Sequence, residues 1–242
     1  MKHILSCMRR AIEDYDMIQD GDKIAVALSG GKDSITMLKA LKSLQYFYPK
    51  QFELIAISVN PGFEFFDSAF LKKTCDELEI PFIEEKYDIN KIVFEERHEK
   101  NPCSLCANLR RGILNTTAKR ENCTKIALGH NLDDVLETFL MNLFFAGNMS
   151  TFAPISHMDR SGMTIIRPLV YVPEKDTKRY TRKSGTQIMP KVCPMDGHST
   201  REYVKQLIVS LSLKNPHVKA NIMGAIQRNQ INGWKDTTQR GK

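Results

Sequence analysis

The chain opens with apolar positions at helical spacing. Ile4, Leu5, Met8, Ile12 and Tyr15 recur every three or four residues, which predicts an amphipathic helix over residues 1–17. After the turn signal Asp20-Gly21-Asp22 the spacing gives way to a continuous apolar run at 24–28, the mark of a short buried strand. Helical spacing returns at Ile35, Leu38 and Leu41, for a helix over about 34–45. A second buried strand at 53–59 ends at Pro61-Gly62, a helix follows over 67–78, and a short third strand, 82–85, comes after Pro81. A fourth strand at 125–130 runs into a strong helix at 135–146, and 165–169 reads as a strand with a turn. Helices are predicted near 174–183, 199–211 and 217–229, the last two separated by Asn215-Pro216-His217. Strands alternating with helices predict an α/β fold: a Rossmann-like parallel sheet with helices on both faces, plus additional C-terminal helices. Residues 1–231 read as a single domain whose helical part is basic from about 174. The polar tail at 232–242, with its lone Trp234, is predicted to be disordered.

Composition adds little to this outline. At 242 residues, with 42% apolar and 26% charged residues, the chain has the make-up of an ordinary soluble globular protein. No apolar run approaches the roughly 18 residues of a membrane span, and the N-terminus lacks a signal-peptide core, so a cytoplasmic protein with no membrane partner is expected. Charge is more informative. The formal net charge is +7, from 35 basic and 28 acidic residues. Lys175, Lys178, Arg179, Arg182, Lys183 and Lys191 face only Asp176 in their stretch, and Arg201, Lys205, Lys214, Lys219, Arg228, Lys235, Arg240 and Lys242 follow. A basic half of this kind suits a polyanionic partner, although a plain solvated surface would carry the same residues.

The chemistry begins after the first strand, in Ser29-Gly30-Gly31-Lys32-Asp33-Ser34. A strand that passes through paired glycines into a helix leaves backbone N–H groups unpaired and aimed at one spot, where the helix N-terminus adds partial positive charge. The glycines let an anion approach the backbone, and Ser29, Ser34 and Lys32 add side-chain donors. This is a phosphate-binding turn, and its spacing is not that of a Walker A loop. An ordinary Gly-rich strand–helix turn is the plain alternative. At the end of the fourth strand, Gly129-His130 precede Asn131-Leu132-Asp133-Asp134 at the start of a helix. One of the two aspartates is accounted for as a cap; a pair beside a phosphate turn could hold Mg²⁺ on ATP.

Six cysteines occur. Cys7, Cys75 and Cys123 sit in helical or strand-edge contexts and read as buried small hydrophobes. Cys103 and Cys106 form a Cys-x-x-Cys pair that leads into Leu109-Arg110-Arg111-Gly112, so its thiols sit at or near a helix N-terminus, where thiolates are favoured. Cys193 lies in a second irregular stretch, 189–198. Three thiolates fit an iron–sulfur cluster that leaves one iron without a protein ligand. Cys103, Cys106, Cys193 and His198 fit a structural zinc site equally well.

Together these residues carry a resemblance. The Ser-Gly-Gly-x-Asp-Ser turn resembles the pyrophosphate loop of the PP-loop (adenine nucleotide alpha hydrolase-like) ATPases. The ordered set of that turn, Pro61-Gly62, Cys103-Ser104-Leu105-Cys106 with Leu109-Arg110-Arg111-Gly112, the stretch 125–130 with Asp133-Asp134, Ile166-Arg167-Pro168-Leu169 and Cys193 resembles the tRNA 2-thiocytidine synthetase family over roughly residues 5–212. The resemblance implies an ATP-dependent tRNA sulfurtransferase. ATP would adenylate the C2 oxygen of a cytidine in the anticodon loop, and sulfur delivered through a [4Fe-4S] cluster would replace it. It implies that Ser29, Gly30, Gly31, Lys32, Asp33, Ser34, Gly129 and His130 hold ATP, and that Cys103, Cys106 and Cys193 ligate the cluster. Asp33 is also expected to act in catalysis, and either Asp133 or Asp134 to serve Mg²⁺ or activation; Arg110 and Arg111 either neutralise phosphate or substrate charge or merely coat their helix. A sulfur donor (cysteine desulfurase persulfide or sulfide), tRNA and a homodimeric partner complete the expected set. The alternatives are a tRNA 2-thiouridine synthetase and a zinc-stabilised nucleotide- or RNA-binding module without chemistry.

Overall fold

The computed structural model describes residues 1–63, 66–93, 102–159, 162–190 and 200–237. Helix α1 (Lys2–Tyr15) leads to β1 (Asp22–Ala27), α2 (Lys32–Gln45), β2 (Phe52–Asn60), α3 (Ala69–Glu77) and β3 (Phe82–Lys86). One turn of helix, α4 (Ile89–Lys91), precedes the long α5 (Pro102–Arg120), then β4 (Lys125–Ala127) and α6 (Leu132–Ala146). A hairpin, β5 (Ile155–Met158) and β6 (Met163–Ile166), is followed by α7 (Glu174–Lys183), α8 (Thr200–Lys214), α9 (Val218–Arg228) and a short 3₁₀ turn at Ile231–Gly233.

The strands form one sheet in the order β3-β2-β1-β4-β6-β5. Its five strands from β3 to β6 are parallel, with Ala25 opposite Ile55 on one side and Ile126 on the other. The sheet is thus mostly parallel. The departure from the expected pattern is β5, an antiparallel edge strand paired Ile155 to Ile166. Its four residues are too few to show a period, so it cannot be read from spacing. β4 is also shorter than its apolar run, because residues 128–130 leave the ladder after the Leu128 amide donates to the Ile166 carbonyl at 2.9 Å.

Alternation along the strands divides the core into two layers. Ile24 and Val26 of β1 and Leu54 and Ala56 of β2 pack with α1, α2 and α6 on one face. Ala25, Ile55, Ile57 and Ile126 pack on the other face under Leu114 and Ala118 of α5. Cys75 and Cys123 are buried, and burial pushes both thiols up, Cys75 to about 12. Neither is a thiolate at neutral pH. Among the described residues no helix is long and apolar enough to cross a membrane.

The C-terminal stretch corrects an expectation. Trp234, placed by composition in a disordered tail, is 1% exposed. Its indole N–H donates to the Phe152 carbonyl at 3.1 Å, and its ring meets Tyr15 edge-on at 5.8 Å. Residues 232–237 are polar apart from this one aromatic, and a single anchor is invisible to composition. Lys235 completes the seam: its ammonium donates to the Asp14 carbonyl at 2.6 Å. We expect Trp234→Ala to cost about 3–5 kcal/mol, the usual penalty for deleting a buried aromatic. A urea denaturation midpoint unchanged from wild type would contradict this packing.

Candidate active site

Strand order reverses between β1 and β4, the place where open α/β sheets bind ligands beyond their strand ends. The Ser29–Ser34 turn lies there, capping β1. Gly30 takes φ +80°, open to glycine and strained for other residues. Ser29 Oγ donates to Ser34 Oγ at 3.1 Å, and Ser34 Oγ lies 3.0 Å from the Gly31 carbonyl. Gly129, at the end of β4, packs directly on this turn: a Cβ there would lie 3.1 Å from the Ser34 amide nitrogen and 3.2 Å from its Cα. The close approach of two backbones favours glycine, because any side chain would force one of them to give by a few tenths of an ångström.

The N-termini of α2, α6 and α7 meet beside the turn, and carboxylates occupy their first turns. Asp33 accepts from Thr177 at 2.6 Å and from Lys32 at 2.7 Å. Lys32 also pairs with Glu174 at 3.0 Å. Burial opposes a charged Lys32, but Asp33 and Glu174 hold its ammonium pKa above the usual value. Glu174 is itself desolvated, yet hydrogen bonds from Lys205, Lys178 and Lys32 hold its carboxyl down to about 2. Asp133 accepts from the Glu174 amide at 2.7 Å and from the Lys219 ammonium. Asp134 completes a reciprocal capping box with Asn131, and burial raises its pKa.

A cleft of about 400 Å³ opens between this turn and α5. Its floor is apolar, from Ile57 and Val59 of β2 across to Ile126, Leu128 and Ile165, and Ser29, Gly31, Asp33 and Ser34 close one end. Arg110 and Arg111 of α5 form the opposite wall. One to two turns earlier on the same helix, Cys106 is half-buried and Cys103 exposed. Three residues apart in the first turns of α5, the two thiols occupy neighbouring positions on one helix face. Pro102, at the first helical position, costs no hydrogen bond there.

His130 closes the cleft at the end of β4. Its ring stacks on Phe152 at 4.9 Å, and the guanidinium of Arg167 lies over the same phenyl ring at 5.1 Å. Burial, followed by the charges of Arg167, Arg201 and Arg111, depresses the His130 pKa to about 3. The imidazole is therefore neutral at physiological pH. Desolvation also lowers Arg167, to about 10, which leaves it charged at neutral pH.

The fold thus gathers Ser29, Gly31, Asp33, Ser34, Gly129, His130 and Arg110 around one cleft. Gly30 and Lys32 stand on the outer side of the turn, where the Met189 amide donates to the Gly30 carbonyl at 2.8 Å. Asp133 and Asp134 flank the cleft without lining it, and both oxygens of Asp133 are already taken by protein donors. Cys193 and His198 lie outside the described residues. Glu174, Thr177 and Lys219, which hold the aspartates, were not legible in sequence because each acts across long chain separations. Much of the basic half also turns inward. Lys205 pairs with Glu174, Arg201 with Glu137 and Lys219 with Asp133, while Lys175, Arg182, Lys183 and Lys214 remain exposed.

A family model described as a PP-loop domain matches residues 3–211, which defines the class of this protein. Among curated relatives, the tRNA-cytidine(32) 2-sulfurtransferase of Geotalea uraniireducens is 40% identical over 220 residues, covering 90% of this chain and 87% of the relative. The protein of the same name from Geobacter sulfurreducens is 38% identical, covering 93% and 89%. In structure the chain is similar to the U34-tRNA thiolase NcsA of Methanococcus maripaludis, solved with its [4Fe-4S] cluster. The TM-score is 0.78 at 26% identity, over 94% of this chain and 78% of that one. The chain belongs to the PP-loop domain family and, within it, to the tRNA-cytidine(32) 2-sulfurtransferases, a group of transferases.

Two outcomes follow from this geometry. Gly129→Ala drives a methyl into the backbone of α2, so ATP affinity measured by calorimetry should fall roughly tenfold or more, about 1.4 kcal/mol. Unchanged affinity would mean that the turn does not bind phosphate. His130 has a folded pKa below its unfolded value, so the unfolded state binds the extra proton. The stability this contributes is complete above about pH 6.5 and is lost as pH falls towards about 3. His130→Asn should therefore flatten the fall in urea stability between those pH values, relative to wild type.

Proposed function

We propose that this chain is an ATP-dependent tRNA sulfurtransferase of the cytoplasm that replaces the C2 oxygen of a tRNA pyrimidine, a cytidine in the anticodon loop, with sulfur. The single observation that carries the reading is that the phosphate turn and the helix bearing Cys103 and Cys106 face one another across one cleft. The names of the relatives supply the substrate class.

In this reading Ser29, the Gly31 amide, Ser34 and the α2 N-terminus receive the ATP phosphates. Asp33 lines the cleft; Asp134 flanks it, held by the Asn131 amide and by Arg201 at 3.6 Å, and would have to exchange that looser partner to serve a Mg²⁺ on those phosphates. The cytosine C2 oxygen displaces pyrophosphate from the α-phosphate and forms an O-adenylate. A sulfur nucleophile then displaces AMP, which leaves far more readily than the bare oxygen would. Arg110 and Arg111 neutralise charge on pyrophosphate or on the tRNA backbone. Neutral His130 walls the cleft without adding charge.

Adjacent thiols on the first turns of a helix fit a soft metal centre. Cys103 and Cys106 would hold a [4Fe-4S] cluster together with Cys193. Bound there, the cluster would supply an iron position at which sulfur, from a desulfurase persulfide or from sulfide, is held.

Protein purified without oxygen should be brown, absorbing near ~400 nm with about four irons per chain. Cys103→Ala should lose the colour and tRNA thiolation while ATP binding persists. Nucleoside mass spectrometry of tRNA from cells with and without the gene reads the product directly. Colourless protein with stoichiometric zinc, and tRNA that does not change, would overturn the proposal.

A further inference from the structure

The outer face of α7 carries charge of one sign. Its exposed residues are Lys175, Lys178, Arg179, Arg182 and Lys183, all of them cations. Its two acids turn inward: Glu174 meets Lys32 and Lys205, and Asp176, 5% exposed, meets His3 of α1 at 2.8 Å. The side with the buried Thr177 and Thr181 packs on α2. Lys178 and Arg179 reach back to the two acids at 2.9 and 3.0 Å. Among the described residues no ion pair engages Lys175, Arg182 or Lys183. The spacing works against the helix. Lys175 and Arg179, Lys178 and Arg182, and Arg179 and Lys183 each stand four residues apart, where like charges repel and destabilise. Arg182 and Lys183 suit the negative C-terminal end of the helix dipole, but Lys175 stands in the first turn, at the positive end. Stability of the helix does not account for the row.

Where α7 meets the start of α1, a concavity of about 570 Å³ is lined by Lys2, Arg179, Lys183 and Ser184. Asp176 shares this lining, but His3 and Arg179 already hold its carboxylate. Three cations and a hydroxyl around a hollow suit a phosphate group. A row of cations along ten helical residues extends about 15 Å, enough to meet several phosphates of a nucleic-acid backbone. A lipid surface fits less well, because an interfacial helix must offer apolar side chains outward, and α7 offers none. The row also begins at the candidate active site: Thr177 donates to Asp33 of the phosphate turn at 2.6 Å. Resting on the proposed function, which brings tRNA to the cleft, we infer that the outer face of α7, with Lys2 of α1, grips the tRNA sugar–phosphate backbone while the target base enters the cleft. Contacts of this kind fix position and carry no base specificity.

The test follows binding of unmodified tRNA to the full chain by fluorescence anisotropy over a range of salt concentrations. The variants are Lys175→Gln, Arg182→Gln and Lys183→Gln, singly and combined. Each single change should lower the slope of log affinity against log salt by about one, and the combined variant should bind roughly tenfold more weakly at ~150 mM salt. ATP affinity should stay as in wild type, because none of the three lines the cleft. The urea midpoint of Lys175→Gln should hold or rise, since a repulsion is removed. Lys214→Gln, at an exposed lysine of α8, should leave the slope unchanged. An unchanged slope in the combined variant overturns the inference. So does an equal loss from Lys214→Gln, or tighter binding to phosphatidylserine vesicles than to tRNA. Thiolation assays separate this inference from the reading beneath it. A chain that binds tRNA through α7 but never thiolates it sinks the proposed function alone; thiolation with a salt slope indifferent to α7 sinks the inference alone.

Discussion

Three helix N-termini point at one place in this molecule, and the structure depends on how their positive ends are balanced. Helices α2, α6 and α7 each bring first-turn carboxylates: Asp33, Asp133 with Asp134, and Glu174 with Asp176. Cations from elsewhere then neutralise the carboxylates: Lys32, Lys205, Lys219 and Arg201. The result is a set of partly buried ion pairs in which each carboxylate is met by at least one cation or backbone donor, the condition under which burying charge is tolerable. Isolated surface pairs would contribute little. Here the pairs set the spacing of three helices around the phosphate turn, and the Glu174 amide bonded to Asp133 ties α7 to α6.

That arrangement decides which donors remain for a ligand. Lys32, which could serve a phosphate, is held on the outer side by Asp33 and Glu174. The inner side keeps hydroxyls, backbone amides and the two arginines of α5. In the proposed reading, anion binding at the turn rests on helix and backbone dipoles, with full positive charge supplied from across the cleft. The floor of the cleft, where β2, β1, β4 and β6 present aliphatic side chains, is apolar, so polar contacts against it count for more than they would in bulk water.

The tail contributes to the same site indirectly. Trp234 bonds to the Phe152 backbone, and the Phe152 ring lies between His130 and Arg167. A residue 104 positions beyond His130 in the chain (234 minus 130) therefore helps to fix the wall of the cleft. Pocket and tail form one packed unit, in which an apolar anchor at the far end of the sequence sets the position of a neutral imidazole.

Local chemistry was enough to read a great deal. The 24–28 run followed by Ser29–Ser34 determines a strand, a glycine turn and a helix N-terminus by itself, since each signal lies within a few residues of its neighbour. The alternation of strands and helices determines the mostly parallel sheet, and Cys103 with Cys106 determines a thiol pair on one helix face. Only the tertiary structure decided what the aspartates do. Asp133 looks in sequence like half of a metal-binding pair, but the Lys219 ammonium, 86 residues away, occupies it. It also decided the burial of Trp234 and the edge strand β5. Those outcomes depend on which groups meet across long separations, and packing fixes that where local pattern cannot.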